Sequence, residues 1–152
     1  MKKIALAIVV LAVVAFAGAA MAVDTNTLTV NANVVGTCKF NTATSTLNFT
    51  LDPSAGGNVT ANTSVTYWCT KGQAASGVAA DNGAHWSGTS RQMAMSPTDL
   101  IPYSLTLTGG AGMGGGPTSP LTLDISGTVL GTDYTSAAAG AYMDTVTLTL
   151  NP

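Results

Sequence analysis

Apolar and polar residues alternate with a period of two along most of this chain. In the first clear run the apolar positions are Leu28, Val30, Ala32 and Val34, separated by threonine and asparagine. Alternation of this kind predicts half-buried β-strands whose polar, threonine-rich faces point outward. The same pattern returns in five later runs, which cover residues 47–51, 59–69, 105–107, 121–125 and 146–150.

Turn-forming residues separate these runs. They occur at residues 52–58, at Asp81-Asn82-Gly83, at Ser96-Pro97 and between Gly109 and Pro120. Short alternating runs joined by such turns predict an antiparallel β-sandwich or barrel. Residues 109–116 are too rich in glycine to pack, and we expect a loop there.

The N-terminus has the features of an export signal. Two lysines follow Met1, residues 4–17 are an unbroken apolar run, and Ala20-Met21-Ala22 has the small-x-small form of a cleavage site. The alternative is a membrane anchor, but the run is short for a bilayer span of about 20 residues. We therefore expect residues 1–22 to be a signal peptide, which leaves one exported domain that crosses the membrane only in transit.

The composition excludes several classes of protein. Only 8% of the residues are charged, glutamate is absent, and the net charge is −2. A helical bundle and a nucleic-acid-binding protein both need more charge than this. With a single histidine and seven scattered aspartates, the sequence predicts no metal site, no cofactor and no enzyme. His85 with Asp81 and Ser87 could be imagined as a catalytic triad, but all three lie in one loop-like stretch.

Export also changes the interpretation of the two cysteines. Cys38 and Cys69 are the only pair in the chain, and an oxidising compartment favours joining them. A metal or redox pair is the alternative, but there is no CxxC motif. A bridge that closes this loop would stabilise the fold by about 3–4 kcal/mol.

The number of predicted strands does not suit a self-sufficient sandwich. An immunoglobulin-like domain needs about seven strands, and residues 38–152 offer fewer strong runs, the last of which ends the sequence. The alternating segment 25–35 meanwhile has no hairpin partner. Strand exchange between subunits by β-strand addition would explain both observations. The segment could equally form the first strand of its own domain, and the pattern alone does not choose between the two.

From Gly36 onward the chain resembles the spore coat protein U domain family, which includes the pilins of archaic chaperone–usher pili. The order and spacing of several short pieces carry the resemblance. They are Gly36-Thr37-Cys38 with Phe40, Leu47-Asn48-Phe49, Ser64-Val65-Thr66, Cys69-Thr70-Lys71-Gly72, residues 88–93, residues 100–105 and residues 140–148. Three features depart from the family pattern: the glycine-rich stretch that follows Tyr103, the tryptophan at Trp68, and the His85-Trp86 pair.

The resemblance implies an incomplete immunoglobulin-like sandwich, residues 37–152, that lacks its last strand. A periplasmic chaperone would fill the gap first. At an outer-membrane usher, residues 23–36 of the next subunit would then take its place. The implied donor residues are Leu28, Val30, Ala32 and Val34, and the implied acceptor residues are Leu47, Phe49, Leu51, Val146, Leu148 and Leu150. The Cys38–Cys69 bridge would tie the first two strands together beside this groove.

The resulting hypothesis is a shaft subunit of a cell-surface pilus that serves adhesion and biofilm formation, built from identical or related subunits. Tyr142 and Asp144 resemble a structural corner at the start of a strand. The competing hypothesis is a self-contained spore-coat or carbohydrate-binding protein of the same fold, with Trp68, Trp86 and Tyr134 as a sugar-stacking surface.

Overall fold

A computed structural model describes residues 23–152 of the chain. The described residues form an all-β, antiparallel fold with one helical turn, which confirms the predicted sandwich-like fold class. The elements are β1 (Cys38–Phe40), β2 (Val59–Cys69), β3 (Ala74–Ala75), β4 (Gly77–Ala80), β5 (Arg91–Ala94), β6 (Leu100–Gly109), β7 (Gly112–Met113), β8 (Leu121–Val129), α1 (Gly131–Tyr134) and β9 (Leu148–Asn151).

The chain divides into two units, residues 1–33 and residues 34–152. The described part of the first unit, residues 23–33, contains neither helix nor strand, and its side chains are exposed. Leu28 is 83% exposed and Val30 is 81% exposed. The expected signal peptide, residues 1–22, lies outside the described residues.

The second unit is built on a five-stranded sheet with the order β1-β2-β8-β6-β5. Strands β2 and β8 pair over most of their length, from Val59 opposite Val129 to Tyr67 opposite Leu121. Alternate residues of β2, β6 and β8 are buried on one face, as the period of two predicts. Threonine, serine and asparagine occupy most of the opposite face, where they meet water.

A second layer covers the buried face of this sheet. It contains β9, which pairs with β4, and a two-stranded ladder of β3 with β7. Leu148 of β9 packs on a buried cluster that contains Val65, Leu123 and Ile125. Leu150 packs on a second cluster around Tyr67 and Cys69. The apolar alternation of the last run therefore serves the core between the two layers.

The expected strand over Leu47, Phe49 and Leu51 is not assigned in the structure. These three side chains are half-buried while Asn48 and Thr50 are exposed, so the alternation is present. The backbone of residues 44–51, however, has no ladder partner within the described chain. The pattern correctly predicted which side chains face inward, but a strand assignment also needs a neighbouring strand to bond with.

The expected donor strand, residues 25–35, likewise carries no strand assignment. The expected loop at residues 109–116 is correct except for Gly109, which ends β6, and the two residues of β7. One glycine of this loop, Gly114, lies against the disulfide: a Cβ at this position would stand 2.6 Å from the Cβ of Cys69. Among the described residues, no helix has the length and apolar character needed to cross a membrane.

Candidate functional site: a groove between two unpaired edges

Two extended segments of the second unit expose unpaired backbone edges on either side of a groove. Residues 44–51, which we call the first wall, have no ladder partner among residues 23–152. Residues 144–150, the second wall, include most of β9, which pairs with β4 on one side and has no described strand on the other. Unpaired edges of this kind are binding sites for a further strand.

The backbone groups of the second wall alternate in direction. Asp81 donates its N–H to the carbonyl of Thr147 at 3.0 Å, and Ala79 is the partner of Thr149 in the same ladder. Hydrogen bonds in an antiparallel pair recur at every second residue. The N–H and C=O groups of Val146, Leu148 and Leu150 therefore point away from β4, and they are available to another strand.

The groove between the walls has a largely apolar lining at its centre. A cavity of about 390 Å³ is lined by Leu47 and Phe49 from the first wall, by Val146 and Leu148 from the second, and by a floor from the five-stranded sheet. The floor residues of this cavity are Tyr103, Leu105 and Ile125. A neighbouring cavity of about 420 Å³ shares Val146 and Leu148 and extends the groove towards Phe40 and Val65.

Four of the six expected acceptor residues thus face a common cavity: Leu47, Phe49, Val146 and Leu148. The other two lie beyond its ends. Leu51 packs on the buried cluster of Ile101, Val129 and Tyr134 and lines a further cavity there. Leu150 packs beside Tyr67 and Cys69.

Gly127 of β8 is a floor residue that the sequence analysis missed. A Cβ at this position would lie 2.6 Å from Cδ2 of Leu47 and 2.6 Å from Cζ of Phe49. The missing side chain therefore lets the first wall rest directly on the sheet. A glycine inside an otherwise clean strand pattern often marks such a close approach, and that signal was present in the sequence.

Asp144 anchors the second wall from within the groove. Its side chain is only 3% exposed. One carboxylate oxygen, Oδ1, accepts the backbone N–H groups of Ala84 at 2.9 Å and His85 at 3.2 Å, and Nδ1 of His85 lies 3.1 Å from it. The other oxygen accepts the hydroxyl of Tyr103 at 2.6 Å. Burial, followed by this bond to Asp144, raises the pKa of Tyr103 above its usual value.

Asp81, the first residue after β4, also binds the second wall. Its carboxylate accepts the N–H of Gly83 at 2.9 Å and the N–H of Thr147 at 3.0 Å. These backbone bonds lower the pKa of Asp81 below its usual value. Asp81 and Asp144 therefore attach the second wall to the loop after β4 through side-chain carboxylates. The sequence predicted a turn at Asp81 and a corner at Asp144, but not the hydrogen bonds that join this loop to the second wall.

Tyr142 was expected, with Asp144, to form a structural corner. Its hydroxyl donates to the carbonyl of Ala138 at 3.0 Å, and its ring lines the groove at the start of the second wall. The next residue, Met143, forms an antiparallel bridge with Ala94. The chain is thus held at this point immediately before it enters the groove.

The loop around His85 does not assemble the imagined triad. His85 pairs with Asp144, whereas Asp81 binds Gly83 and Thr147. The hydroxyl of Ser87 bonds within its own turn, to Ser90. Nowhere in residues 23–152 do three or more histidine, cysteine or acidic side chains gather as metal ligands would.

The proposed sugar-stacking surface of Trp68, Trp86 and Tyr134 is wrong in one member. Tyr134 is only 1% exposed, and its hydroxyl donates to the carbonyl of Gly57 at 2.6 Å. It is a core residue and cannot meet a sugar. Trp86 is 41% exposed, while Trp68 is half-buried on β2 opposite Lys39.

Cys38 and Cys69 form a disulfide across the β1–β2 ladder, where they are directly opposite each other. The expected bridge between these residues is therefore present. Cys69 is fully buried. The bridge stands at the point where residues 34–37 lead into the sheet, next to the hydrogen bond that Thr70 donates to the carbonyl of Thr37 at 2.8 Å.

One family model matches most of this chain. The Spore Coat Protein U domain model matches residues 24–149, a range that includes the exposed segment 28–34, the first wall, all but the last residue of the second wall, and the disulfide. No curated protein shows significant similarity to the chain. Since the domain model covers most of the sequence, the chain belongs to the spore coat protein U domain family.

Proposed function

We propose that this protein is a structural subunit of an extracellular fibre, the shaft of an archaic chaperone–usher pilus. In this proposal, residues 28–34 of one subunit occupy the groove of the next. The observation that carries the proposal is the pair of unpaired edges, residues 44–51 and 144–150, across an apolar groove. One additional strand would satisfy both edges at once.

The segment 28–34 has the length and pattern that the groove requires. Seven residues in extended form span about 20 Å. Leu28, Val30, Ala32 and Val34 point to one side of such a strand and would meet the floor, while the threonine and asparagines between them would face water. In the structure these apolar side chains are exposed, Val34 by 79%.

Burial gives the association its driving force. Each inserted apolar side chain would contribute about 1–2 kcal/mol, and each backbone bond to a wall about 0.5–1.5 kcal/mol. Ordering the segment and joining two molecules oppose these gains. The strand also completes the receiving core, so that folding and assembly are coupled.

The open groove also gives a reason for two assembly partners, a periplasmic chaperone and an outer-membrane usher. A subunit with an open groove exposes apolar surface and two unpaired edges, which would aggregate in the periplasm. A periplasmic chaperone that lends a strand would prevent this, and an outer-membrane usher would exchange that strand for the next subunit. The product would be a cell-surface fibre that serves adhesion and biofilm formation.

The competing function, a self-contained coat or carbohydrate-binding protein, requires residues 25–35 to be a strand of the chain's own sheet. The structure assigns no strand to residues 23–37. The exposed ring of Trp86 is the observation that favours sugar binding. The other two residues of the predicted sugar-stacking surface are not exposed, since Trp68 is half-buried and Tyr134 is buried.

Comparing the mature chain with and without residues 23–35 tests the proposal. We expect the full-length chain to form fibres visible by electron microscopy and high-mass species in gel filtration. The shortened chain should form neither. A full-length protein that remains a stable monomer at high concentration would contradict the proposed function.

A further inference from the structure

We propose that the Cys38–Cys69 disulfide carries tension from a subunit's own exposed segment directly into the folded sheet, so that tension entering at residues 34–37 does not peel the first wall away from the groove. This inference rests on the proposed function. It follows from where the bridge lies in the sequence and in the sheet.

Tension would enter a subunit at the root of its own exposed segment, residues 34–37. Only a few hydrogen bonds hold this root. Thr70 donates its backbone N–H to the carbonyl of Thr37 at 2.8 Å, and its hydroxyl accepts the N–H of Thr37 at 3.1 Å and lies 3.3 Å from the carbonyl of Val35. Hydrogen bonds as few as these would open before the folded sheet does.

Without the bridge, the chain beyond the root leads directly to the groove. After Thr37 come the three residues of β1, and then residues 41–43, which are exposed. The first wall follows, and no described strand holds its backbone. Tension at Thr37 would therefore peel β1 from β2 and then pull Leu47 and Phe49 away from the floor, releasing the neighbour's strand.

The disulfide interrupts this route at the first residue of β1. Tension that reaches Cys38 passes through the two sulfur atoms to Cys69, at the end of β2. Strand β2 is hydrogen-bonded to β1 on one side and to β8 on the other. Residues 39–68 form a closed covalent loop and cannot be extended from outside while the bridge is intact. That loop contains the whole first wall.

The surroundings of the bridge fit this function. Cys69 is fully buried, and the glycine-rich loop lies over it. Gly116 donates its N–H to the carbonyl of Cys69 at 3.0 Å. Gly114 accepts the N–H of Gly72 and donates its own N–H to the carbonyl of Gln73, in the turn between β2 and β3. A side chain at Gly114 would collide with Cys69. The loop therefore covers the Cys69 side of the bridge, whereas Cys38 is half-buried.

Stretching single filaments tests the inference. Filaments of the wild type would be compared with filaments of the Cys38→Ala/Cys69→Ala variant. Thr70→Val is the matched control, because it removes the hydroxyl contacts at the root but leaves the bridge intact. We expect the cysteine variant to break or lengthen at a clearly lower force than the wild type, and the control to behave like the wild type.

The length released by each unfolding subunit gives a second readout. The bridge joins residues 31 apart in sequence, so opening it should add about 100–110 Å of extended chain per subunit. If the cysteine variant does not fold, wild-type filaments reduced after assembly, with thiol labelling to verify reduction, supply the same comparison. Equal strength and equal extension with and without the bridge would overturn the inference. Failure of the wild type to form filaments would instead contradict the proposed function.

Discussion

Two aspartates give the groove its second wall. Asp81 binds the N–H of Thr147 from the loop side, and Asp144 binds the N–H groups of Ala84 and His85 from the wall side. Carboxylates here replace the carbonyl groups that an ordinary ladder would use. Because charge-assisted bonds of this kind are stronger than neutral ones, they hold the wall in place while its other edge stays free to receive a strand.

The first prediction concerns Asp81 and pH. The pKa of Asp81 is lowered in the folded chain, chiefly by the N–H of Gly83 and then by that of Thr147. A lowered folded pKa stabilises the fold above the unfolded value of about 3.9, and this contribution is lost as pH falls through the folded pKa. We expect Asp81→Asn to lower the melting temperature at neutral pH by a few degrees. Below about pH 4, the melting temperature of the variant should fall less with decreasing pH than that of the wild type.

Asp52→Asn is the matched control for this measurement. The pKa of Asp52 is also lowered, by bonds from Ser54, but Asp52 lies outside the groove walls. Both variants should change how the melting temperature falls at acidic pH. Only Asp81→Asn should weaken the binding of a donor peptide. Equal peptide affinity for the two variants would show that Asp81 does not support the wall.

At the scale of elements, the alternating pattern identifies strands where the run of alternation is long enough. It located β2, β6 and β8, whose inner faces repeat over nine to eleven residues. It also located the four-residue β9, because the alternation begins before that strand, at Val146. It missed β1, β3, β4, β5 and β7, since a period of two cannot be recognised in two to four residues. Over residues 47–51 the inward positions were correct but the strand is absent, because pairing depends on a partner and not on the local pattern.

The candidate site was predictable to a similar degree. The alternation predicted that Leu47, Phe49, Val146 and Leu148 face inward, and the family resemblance implied that they share a groove; these four residues line one cavity. The partners of Asp144 were not predictable, because His85 and Tyr103 lie 59 and 41 residues away in sequence. Only the folded sheet brings these groups together. Local periodicity therefore gives the inward-facing residues but neither their common groove nor the contacts that hold it open.

The second prediction concerns the donor segment as an element. Val30→Asp would place an unpaired carboxylate against the apolar floor, which costs roughly 3 kcal/mol or more. We expect at least a 100-fold loss in the affinity of the segment for the groove and no filaments by electron microscopy, while the subunit still folds on its chaperone.

Asn31→Asp is the matched control, because it puts the same carboxylate on the next residue, which would face water. It should assemble nearly as well as the wild type. Normal filaments from Val30→Asp, or equal loss in both variants, would refute the assignment of the inward-facing donor residues.

For the whole molecule, the low fraction of charged residues and the open groove both favour association between subunits. With 8% charged residues and 46% hydrophobic ones, the chain has little charge with which to keep an unfilled groove and an exposed apolar segment from associating. The closed disulfide loop retains the first wall near the sheet before assembly. If a neighbouring strand fills the groove as proposed, a single subunit has an incomplete core, and we expect its stability to depend on the occupant of its groove.

This dependence gives the third prediction. A synthetic peptide of residues 25–36, added to the chain that lacks residues 23–36, should raise its melting temperature in a concentration-dependent way. At a peptide concentration of 100 times Kd the gain is about 2.7 kcal/mol, or roughly 10 °C for a domain of this size. A peptide of the same composition without the alternation should have little effect, since its apolar residues cannot all face the floor. If the shortened chain melts at the same temperature with and without the peptide, its core is already complete and the groove does not bind this strand.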